Sequence, residues 1–414
     1  MEKYLVVWPK SNDVVHINYH YTDFGEIVDY LDSVLPGQVY AVDCDIQDVD
    51  VEKLIKENGV NRVAMMVNYE NASNAFKLAE KIKETTKVPI MAYGNLTVTV
   101  PLLFVPSKFD AMYFDGDYES SIESFFRDFS NYDNACGFVK INNGLFLDEP
   151  RMGKYISPDN WGYSKPSQVP VFEYDDVKKK NRYVLNISRG CPFGCPHCLI
   201  SMVEGGRERR RSVENVDRVL ADISQKYKHI KIWAANFTLK KKYVMDFCEV
   251  MDKYPDVTWE CATRIDLLND ENMIESMAKS GCKQISMGIE SVNSGRFIES
   301  KQFSTDEVES VIKRVQKYGI KVKGCIMLGI PGQTKQDIID TLQFLQRNNV
   351  TTRPTVYTPY NELEKPKLGD LTQFNRRTYR NTNVEGVSPE QLIELTKAPF
   401  EYERILNGKE KSNQ

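Results

Sequence analysis

Twice along the chain, short apolar runs alternate with stretches of helical periodicity, and this alternation constrains the fold more than any other feature. In the N-terminal third the strand-like runs are 4–8, 38–42, 62–67, 88–92 and 110–114. Between them lie helix-patterned stretches such as 74–85, with Ala75, Phe76, Leu78, Ala79 and Ile82 on one side. Strands alternating with helices imply βαβ units and a parallel, doubly wound α/β sheet. Such sheets bind ligands at the carboxyl ends of their strands, here the loops 9–12, 68–71, 93–97 and 115–118. Each of these loops also reads as a plain turn.

The second alternation has strand candidates at 182–188, 230–235, 257–264, 284–290, 322–330 and 355–359. Helices are expected near 213–227, 241–254, 270–280, 305–318 and 335–348. Thr305-Asp306-Glu307-Val308 reads as a capped start and Tyr318-Gly319 as a stop. Parallel strands with outer helices make a partial, TIM-like (β/α)6 barrel, with too few strands to close. In barrels the active site sits at the carboxyl ends of the strands.

At roughly 150 residues per domain, 414 residues suggest two or three domains. The expected division is a doubly wound domain over 1–130, a linker over 131–180, the barrel over 181–365 and a short extension over 366–414 with a helix near 389–397. The linker carries turn signals without periodicity. A hydrophobic fraction of 41% and a charged fraction of 27% exclude wholesale disorder. A net charge of −4 gives no global pull toward nucleic acid or membrane. No apolar stretch approaches the ~18 residues that span a bilayer. The segment MEKYLVVWPK lacks a signal-peptide layout, so the expected compartment is the cytoplasm, where thiols stay reduced.

Three of the nine cysteines form a tight motif, Cys191-Pro-Phe-Gly-Cys195-Pro-His-Cys198, directly after the strand at 182–188. Pro192, Gly194 and Pro196 bar a regular helix, so the thiols project from a folded-back loop. A structural zinc site would need a fourth ligand; His197 is too close to its neighbours, and no second CxxC pair exists. In an iron–sulfur reading, three thiolates bind three irons of a [4Fe–4S] cluster and leave the fourth iron open for chemistry. Structural zinc is the rival. The loop's position on the functional face of the expected barrel favours the reactive cluster. Cys44, Cys136, Cys248, Cys261, Cys282 and Cys325 read as small buried hydrophobes. The run Arg207-Glu208-Arg209-Arg210-Arg211 reads as a solvated charge run or as a grip for an anionic substrate.

Ile187-Ser-Arg-Gly-Cys191-Pro-Phe-Gly-Cys195-Pro-His-Cys198 resembles the signature of the radical S-adenosylmethionine enzymes. Met287-Gly-Ile-Glu290-Ser291 looks like that superfamily's fourth-strand motif, and Gly324-Cys-Ile-Met-Leu-Gly329-Ile-Pro331-Gly332-Gln333-Thr334 looks like its fifth. Ala235-Asn236-Phe-Thr238 and Thr263-Arg264-Ile-Asp266 fall where the second and third strands end. The resemblance implies that Cys191, Cys195 and Cys198 hold a [4Fe–4S] cluster whose open iron binds S-adenosylmethionine. Reductive cleavage then yields a 5′-deoxyadenosyl radical. It further implies Glu290 near the ribose, Ser291 as a further cofactor contact, Asn236 and Arg264 near the methionine part, and Gly329 and Pro331 near the adenine. His197 stands where a bulky aromatic is common, and Gln333 where Glu is frequent.

The N-terminal third resembles the flavodoxin- or Rossmann-like cobalamin-binding domains that precede many such barrels. The resemblance runs through 67–83, 88–94 and 109–119, and points to Gly94, Asn95, Gly116 and Asp117 as cofactor contacts. The family's Gly-Gly pair appears as Tyr93-Gly94, and the Asp-x-His-x-x-Gly motif is missing. The implied activity is cobalamin-dependent methylation of an unactivated carbon in a small molecule or peptide. The implied partner is an electron donor such as flavodoxin or ferredoxin. The short C-terminus carries no apparent RNA-binding module, which argues against a nucleic-acid substrate. Two alternatives stay open: a cobalamin-independent radical enzyme performing cyclisation, rearrangement, epimerisation or dehydrogenation with a degenerate N-terminal domain, and a non-catalytic structural metal-binding protein.

Overall fold

The computed structural model describes residues 2–12, 20–130, 136–142, 145–146, 151–165, 169–170, 173–293, 303–360, 367–368, 371, 379–380 and 384–407. It divides into two compact units. The first comprises 1–181 with 202–204 and 360–372; the second comprises 182–201, 205–359 and 373–414.

In the first unit, strands β1 (Tyr4–Trp8), β2 (Val39–Asp43), β3 (Arg62–Met66), β4 (Ile90–Tyr93) and β5 (Ala111–Tyr113) pair in parallel in the order β2-β1-β3-β4-β5. This is a doubly wound order in which the chain reverses direction between β1 and β3. Helices α1 (His20–Val34), α2 (Val51–Asn58), α3 (Ala72–Thr85), α4 (Asn95–Thr99) and α5 (Tyr118–Asp128) make the crossovers. Strands β1, β3 and β4 are buried at every position, which explains their unbroken apolar runs. Two strands extend the sheet beyond the alternation: β6 (Phe138–Asn142) runs antiparallel to β5, and β7 (Leu145–Phe146) antiparallel to β6. A sixth helix, α6 (Asp175–Lys180), ends this unit.

In the second unit, β8 (Arg182–Asn186) lies at one edge of a parallel sheet. After it come β9 (Ser188–Arg189), α7 (Ile200–Val203), β10 (Arg209–Arg210), α8 (Val213–Ile223), β11 (His229–Trp233), α9 (Lys241–Met251), β12 (Thr258–Thr263), α10 (Glu271–Lys279), β13 (Cys282–Glu290), α11 (Thr305–Lys317), β14 (Lys321–Leu328), α12 (Lys335–Arg347), β15 (Thr351–Thr352) and β16 (Thr355–Val356). The sheet order is β8-β11-β12-β13-β14-β15, and β16 also pairs with β14. The sixth strand position is thus shared by two short pieces, and the partial (β/α)6 architecture is realised. Two last helices, α13 (Pro389–Lys397) and α14 (Tyr402–Asn407), pack on each other.

Local sequence sets the helix starts. Ser212 accepts from Asn215 N to open α8, and Asp270 accepts from Met273 N to open α10. Reciprocal capping boxes open α11 (Ser304 with Glu307) and α12 (Thr334 with Asp337). The cap of α11 is therefore Ser304, one residue before the start expected from Thr305. Phe237, Phe247 and Trp259 form a triad of edge-on rings 5.1–5.3 Å apart that fastens α9 to the sheet.

At the amino-terminal end of this sheet, a polar knot joins four adjacent strands, β8, β11, β12 and β13. Arg182 Nη1 donates to Glu260 Oε1 at 2.6 Å, Gln284 Nε2 donates to Glu260 Oε2 at 3.1 Å, and the His229 ring lies 3.7 Å from that oxygen. Burial of Glu260 opposes ionisation, but the His229 ring and the Arg182 charge outweigh it and hold the carboxyl at about 2. A carboxyl depressed in the folded state contributes stability above its unfolded value and loses it as pH falls through the folded value. Glu260→Gln should therefore destabilise this unit by on the order of 3 kcal/mol at neutral pH, because it removes the buried negative charge that Arg182 pairs with. Urea titrations followed by tryptophan fluorescence should show that difference shrinking between pH 4.5 and about 2. A gap that persists unchanged at pH 2 contradicts the assignment.

Candidate active site

The parallel strands deliver their carboxyl ends to one edge of the sheet, and the cysteine motif leaves from the first of them. Ile187, just past β8, donates its N–H to Trp233 O at the end of β11. The chain then enters β9, loops through the three cysteines and returns as β10, antiparallel to β9, with Arg210 opposite Ser188 and Arg209 opposite Arg189. Cys191 N donates to Gly205 O at 3.1 Å, so the loop is closed at its neck. Gly190 sits there with φ +84°, and a Cβ on it would lie 2.3 Å from Arg207 O. Only glycine fits both constraints. Within the loop, Cys198 N donates to Cys195 O at 3.0 Å, and Gly194 turns the chain with φ +54°.

All three thiols are half-buried. Burial pushes the Cys191 thiol above its ordinary value, while the Phe193 N–H, the Asn236 amide and the Arg264 charge oppose it. Among the described residues, no group of three or more His, Cys, Asp or Glu side chains converges as around a single ion. A four-iron cluster takes each thiolate on a separate iron, so three thiols on one folded-back loop suit it without meeting at a point.

The predicted partners gather on the same edge. Asn236 Nδ2 donates to Cys191 Sγ at 3.3 Å, and its Oδ1 accepts from Arg264 N at 3.1 Å. Arg264 grips Asp266 with two hydrogen bonds of 3.0 Å and lies 4.0 Å over the Phe193 ring in the cysteine loop. Glu290 ends β13 at a register shift against β14, with a left-handed φ of +60°. Such a bulge re-aims a side chain, and a non-glycine residue held there marks a place where the fold enforces a conformation. Its Oε1 is 3.9 Å from His197 Nε2, on the cysteine loop. Ser291 is buried and its hydroxyl meets that of Thr341 at 3.3 Å. After β14, Gly329 (φ +81°) donates its N–H to Gln333 Oε1 at 2.6 Å, and Gln333 Nε2 returns to Met327 O at 3.3 Å. Gln333, the departure from the family's Glu, fastens its own turn. Pro331 is exposed beside it.

In the first unit, Gly94 (φ +120°) follows β4, and a Cβ there would lie 2.7 Å from both Asn68 Oδ1 and Val67 O. Asn95 N donates to Asn68 Oδ1 at 2.8 Å, so the loops after β3 and β4 are knitted together. Gly116 and Asp117 are covered by the chain itself: a Cβ on Gly116 would lie 2.8 Å from Gly153, Asp117 N donates to Lys154 O, and Asp117 Oδ2 accepts from Ile156 N. Beside these loops the hydroxyls of Tyr93 and Tyr118 are buried without a hydrogen-bond partner.

Two readings change. Arg210 and Arg211 are buried rather than solvated: Arg211 Nε donates to Asn186 O, and Arg210 ties Glu208 to the carbonyls of Asn236 and Phe237. Their role was legible only once β10 was seen to return beside β9. Of the six solitary cysteines, Cys248, Cys261 and Cys282 are buried fillers, Cys44 and Cys136 are half-buried, and Cys325 is exposed. In β14 the alternation of burial puts Cys325 on the same face as Lys321 and Lys323, opposite Val322 and Gly324.

Residues 185–345 match the Radical SAM superfamily. The chain is 25% identical over 336 residues to an uncharacterised methyltransferase of Pyrococcus horikoshii, covering 76% of this chain and 71% of that one. It is 25% identical over 204 residues to bacteriochlorophyllide d C-12(1)-methyltransferase of Chlorobaculum tepidum, covering 46% of this chain and 44% of the relative. The chain thus spans under half the length of that enzyme. Its fold is shared with the radical S-adenosylmethionine methyltransferase TsrM of Kitasatospora setae, solved with cobalamin and a [4Fe–4S] cluster bound. The TM-score is 0.70 at 14% identity, over 87% of this chain and 77% of that one.

The two loop glycines should respond differently to alanine. Gly190→Ala meets backbone at the neck and should reduce iron per chain after anaerobic reconstitution several-fold. Gly194→Ala has nothing within 4 Å of the added carbon and carries only left-handed strain of about 1 kcal/mol, so it should keep most of its iron. Equal iron content in both variants would refute the neck's role.

Proposed function

We propose that this radical SAM enzyme uses a cluster held by Cys191, Cys195 and Cys198 to cleave S-adenosylmethionine and methylates an unactivated carbon of a small molecule or peptide with the help of cobalamin. The observation that carries this reading is the cysteine loop: three half-buried thiols, closed at the neck by β9 and β10, at the carboxyl end of the first strand of a parallel sheet. Cluster and S-adenosylmethionine, when bound, supply a 5′-deoxyadenosyl radical able to take hydrogen from carbon. The chain's own groups bind, orient and exclude. Glu290, fixed at the β13 bulge, is suited to accept from ribose hydroxyls, with Ser291 supporting the turn after it. Arg264, braced by Asp266 and Phe193, presents a guanidinium suited to a carboxylate. The Gly329 turn with Pro331 offers backbone to a flat base. An external electron carrier such as flavodoxin or ferredoxin would supply the reducing equivalent.

For cobalamin, the supporting features are the doubly wound order of the first unit, the Gly94–Asn95 turn at the carboxyl end of β4, and the two buried phenols of Tyr93 and Tyr118 that lack partners. One observation favours a second reading, a radical enzyme working without cobalamin: the segment through Gly153 and Ile156 occupies Gly116 and Asp117, so that turn is already filled.

Anaerobic reconstitution separates these readings. The expected result is about four irons per chain and reductive release of 5′-deoxyadenosine, both abolished in Cys195→Ala while the first unit keeps its circular dichroism. Stoichiometric zinc with no cleavage overturns the catalytic reading. Hydroxocobalamin that remains with the chain through gel filtration supports methyl transfer; its complete loss at micromolar concentration leaves the cobalamin-free chemistry.

A further inference from the structure

Asn236 follows β11, and the fold fixes it from three directions. Its neighbour Phe237 is wholly buried in the ring triad with Phe247 and Trp259. Its carbonyl accepts from Arg210 Nη2 at 3.1 Å, while Arg210 Nη1 reaches Phe237 O at 2.9 Å. The same guanidinium pairs with Glu208, both side chains only 4% exposed, and lies 4.5 Å over the Tyr243 ring. An arginine whose two terminal nitrogens go to backbone carbonyls and a buried carboxylate, over an aromatic face, is a brace, and what it braces is the peptide that carries Asn236.

The side chain of Asn236 is equally committed. Its Oδ1 accepts from the backbone N–H of Arg264, which settles the orientation of the amide: an oxygen must face that donor, so the NH2 faces Cys191 Sγ. One donor and one acceptor of the amide are therefore engaged by the fold itself, a commitment beyond the contact to the methionine part that the family resemblance implies. A hydrogen bond to a cluster sulfur withdraws charge from it, and such bonds are among the levers that set the reduction potential of an iron–sulfur centre.

We propose that Asn236 tunes the cluster by donating a hydrogen bond to the Cys191 thiolate, and that Arg210 with Glu208 positions it. The reduced cluster carries one more negative charge than the oxidised one, so the amide stabilises the reduced form more. Removing the donor makes reduction harder. The arrangement also accounts for the burial of two charges immediately after the cysteine loop: Glu208 and Arg210 lie where β10 returns, and so couple the closing of the loop to the placing of the amide.

This inference rests on the cluster reading proposed above, and its test keeps the two apart. Wild type, Asn236→Leu, Asn236→Asp and Arg210→Lys are reconstituted anaerobically, and iron and sulfide per chain are measured. The midpoint potential is then read by dye-mediated titration with electron paramagnetic resonance, without S-adenosylmethionine. Asn236→Leu should keep its iron and show about a tenfold lower ratio of reduced to oxidised cluster at a fixed poise, equivalent to about 59 mV for a one-electron couple. Asn236→Asp, which keeps the acceptor for Arg264 N but sets a carboxylate on the sulfur, should fall further. Arg210→Lys, which cannot bridge two carbonyls, should shift in the same direction by less. Full iron with an unchanged potential in Asn236→Leu and Asn236→Asp overturns the tuning role alone. Loss of iron in those variants makes Asn236 a structural residue and overturns it too. A wild-type chain that assembles no cluster overturns the cluster reading, and this inference with it.

Discussion

Everything at the candidate site depends on one constraint, the parallel pairing of β8, β11, β12, β13 and β14. Parallel neighbours need a crossover, and each crossover returns the chain to the opposite edge, so every strand ends on the same side. The cysteine loop, Asn236, Arg264, Glu290 and Gly329 come from five different strand ends, far apart in sequence. No local propensity brings them together; the hydrogen-bonded ladder does. The register shows how tightly: Asn186 lies opposite Trp233, both at their strand ends, and Thr263, the last residue of β12, lies opposite Met287, three residues before the end of β13. Where the ladder slips, between Gly288 and Glu290, it does so at the residue proposed to meet the ribose.

The edge position of β8 creates a problem that the cysteine loop solves. An edge strand has one free side, and a long excursion leaving it has nothing to hold its return. The short β9–β10 ribbon supplies that hold with two residue pairs and the Cys191-to-Gly205 bond at the neck. Arg211, buried and bonded to Asn186 O and the Asn215 side chain, anchors the foot of the return to β8 and to the first turn of α8. The loop can then be irregular within, as three thiols on separate irons require, because its two feet are not.

The strands and helices of both alternations were legible because buried strands and amphipathic helices impose different periods on apolar residues. The helix starts at Ser212, Asp270 and Ser388 follow from single side chains. The strand β6 was not legible: it runs antiparallel in a region of turn signals, and its pairing with β5 is a long-range choice. The cysteine motif announced itself by spacing, whereas the burial of Arg210 and Arg211 did not, since a run of arginines reads as solvated until its partners are known. Asn236 was legible as a position at a strand end but not as a sulfur donor, because its partner lies 45 residues away on another loop.

The glycines of the first unit make the same point from the other side. A glycine in a loop after a parallel strand reads as room for a ligand, and Gly94 and Gly116 match a binding pattern on that ground. Yet the space a side chain would take is filled in both cases by the chain: Asn68 and Val67 against Gly94, Gly153 and Lys154 against Gly116. A left-handed φ of +120° or +92° would demand glycine whether or not a cofactor ever approached. The residue type therefore reports the backbone first. What reports a ligand is polar capacity left over after the fold has satisfied itself, and in this unit that capacity sits on the phenols of Tyr93 and Tyr118. They are the atoms around which binding by the first unit is best sought.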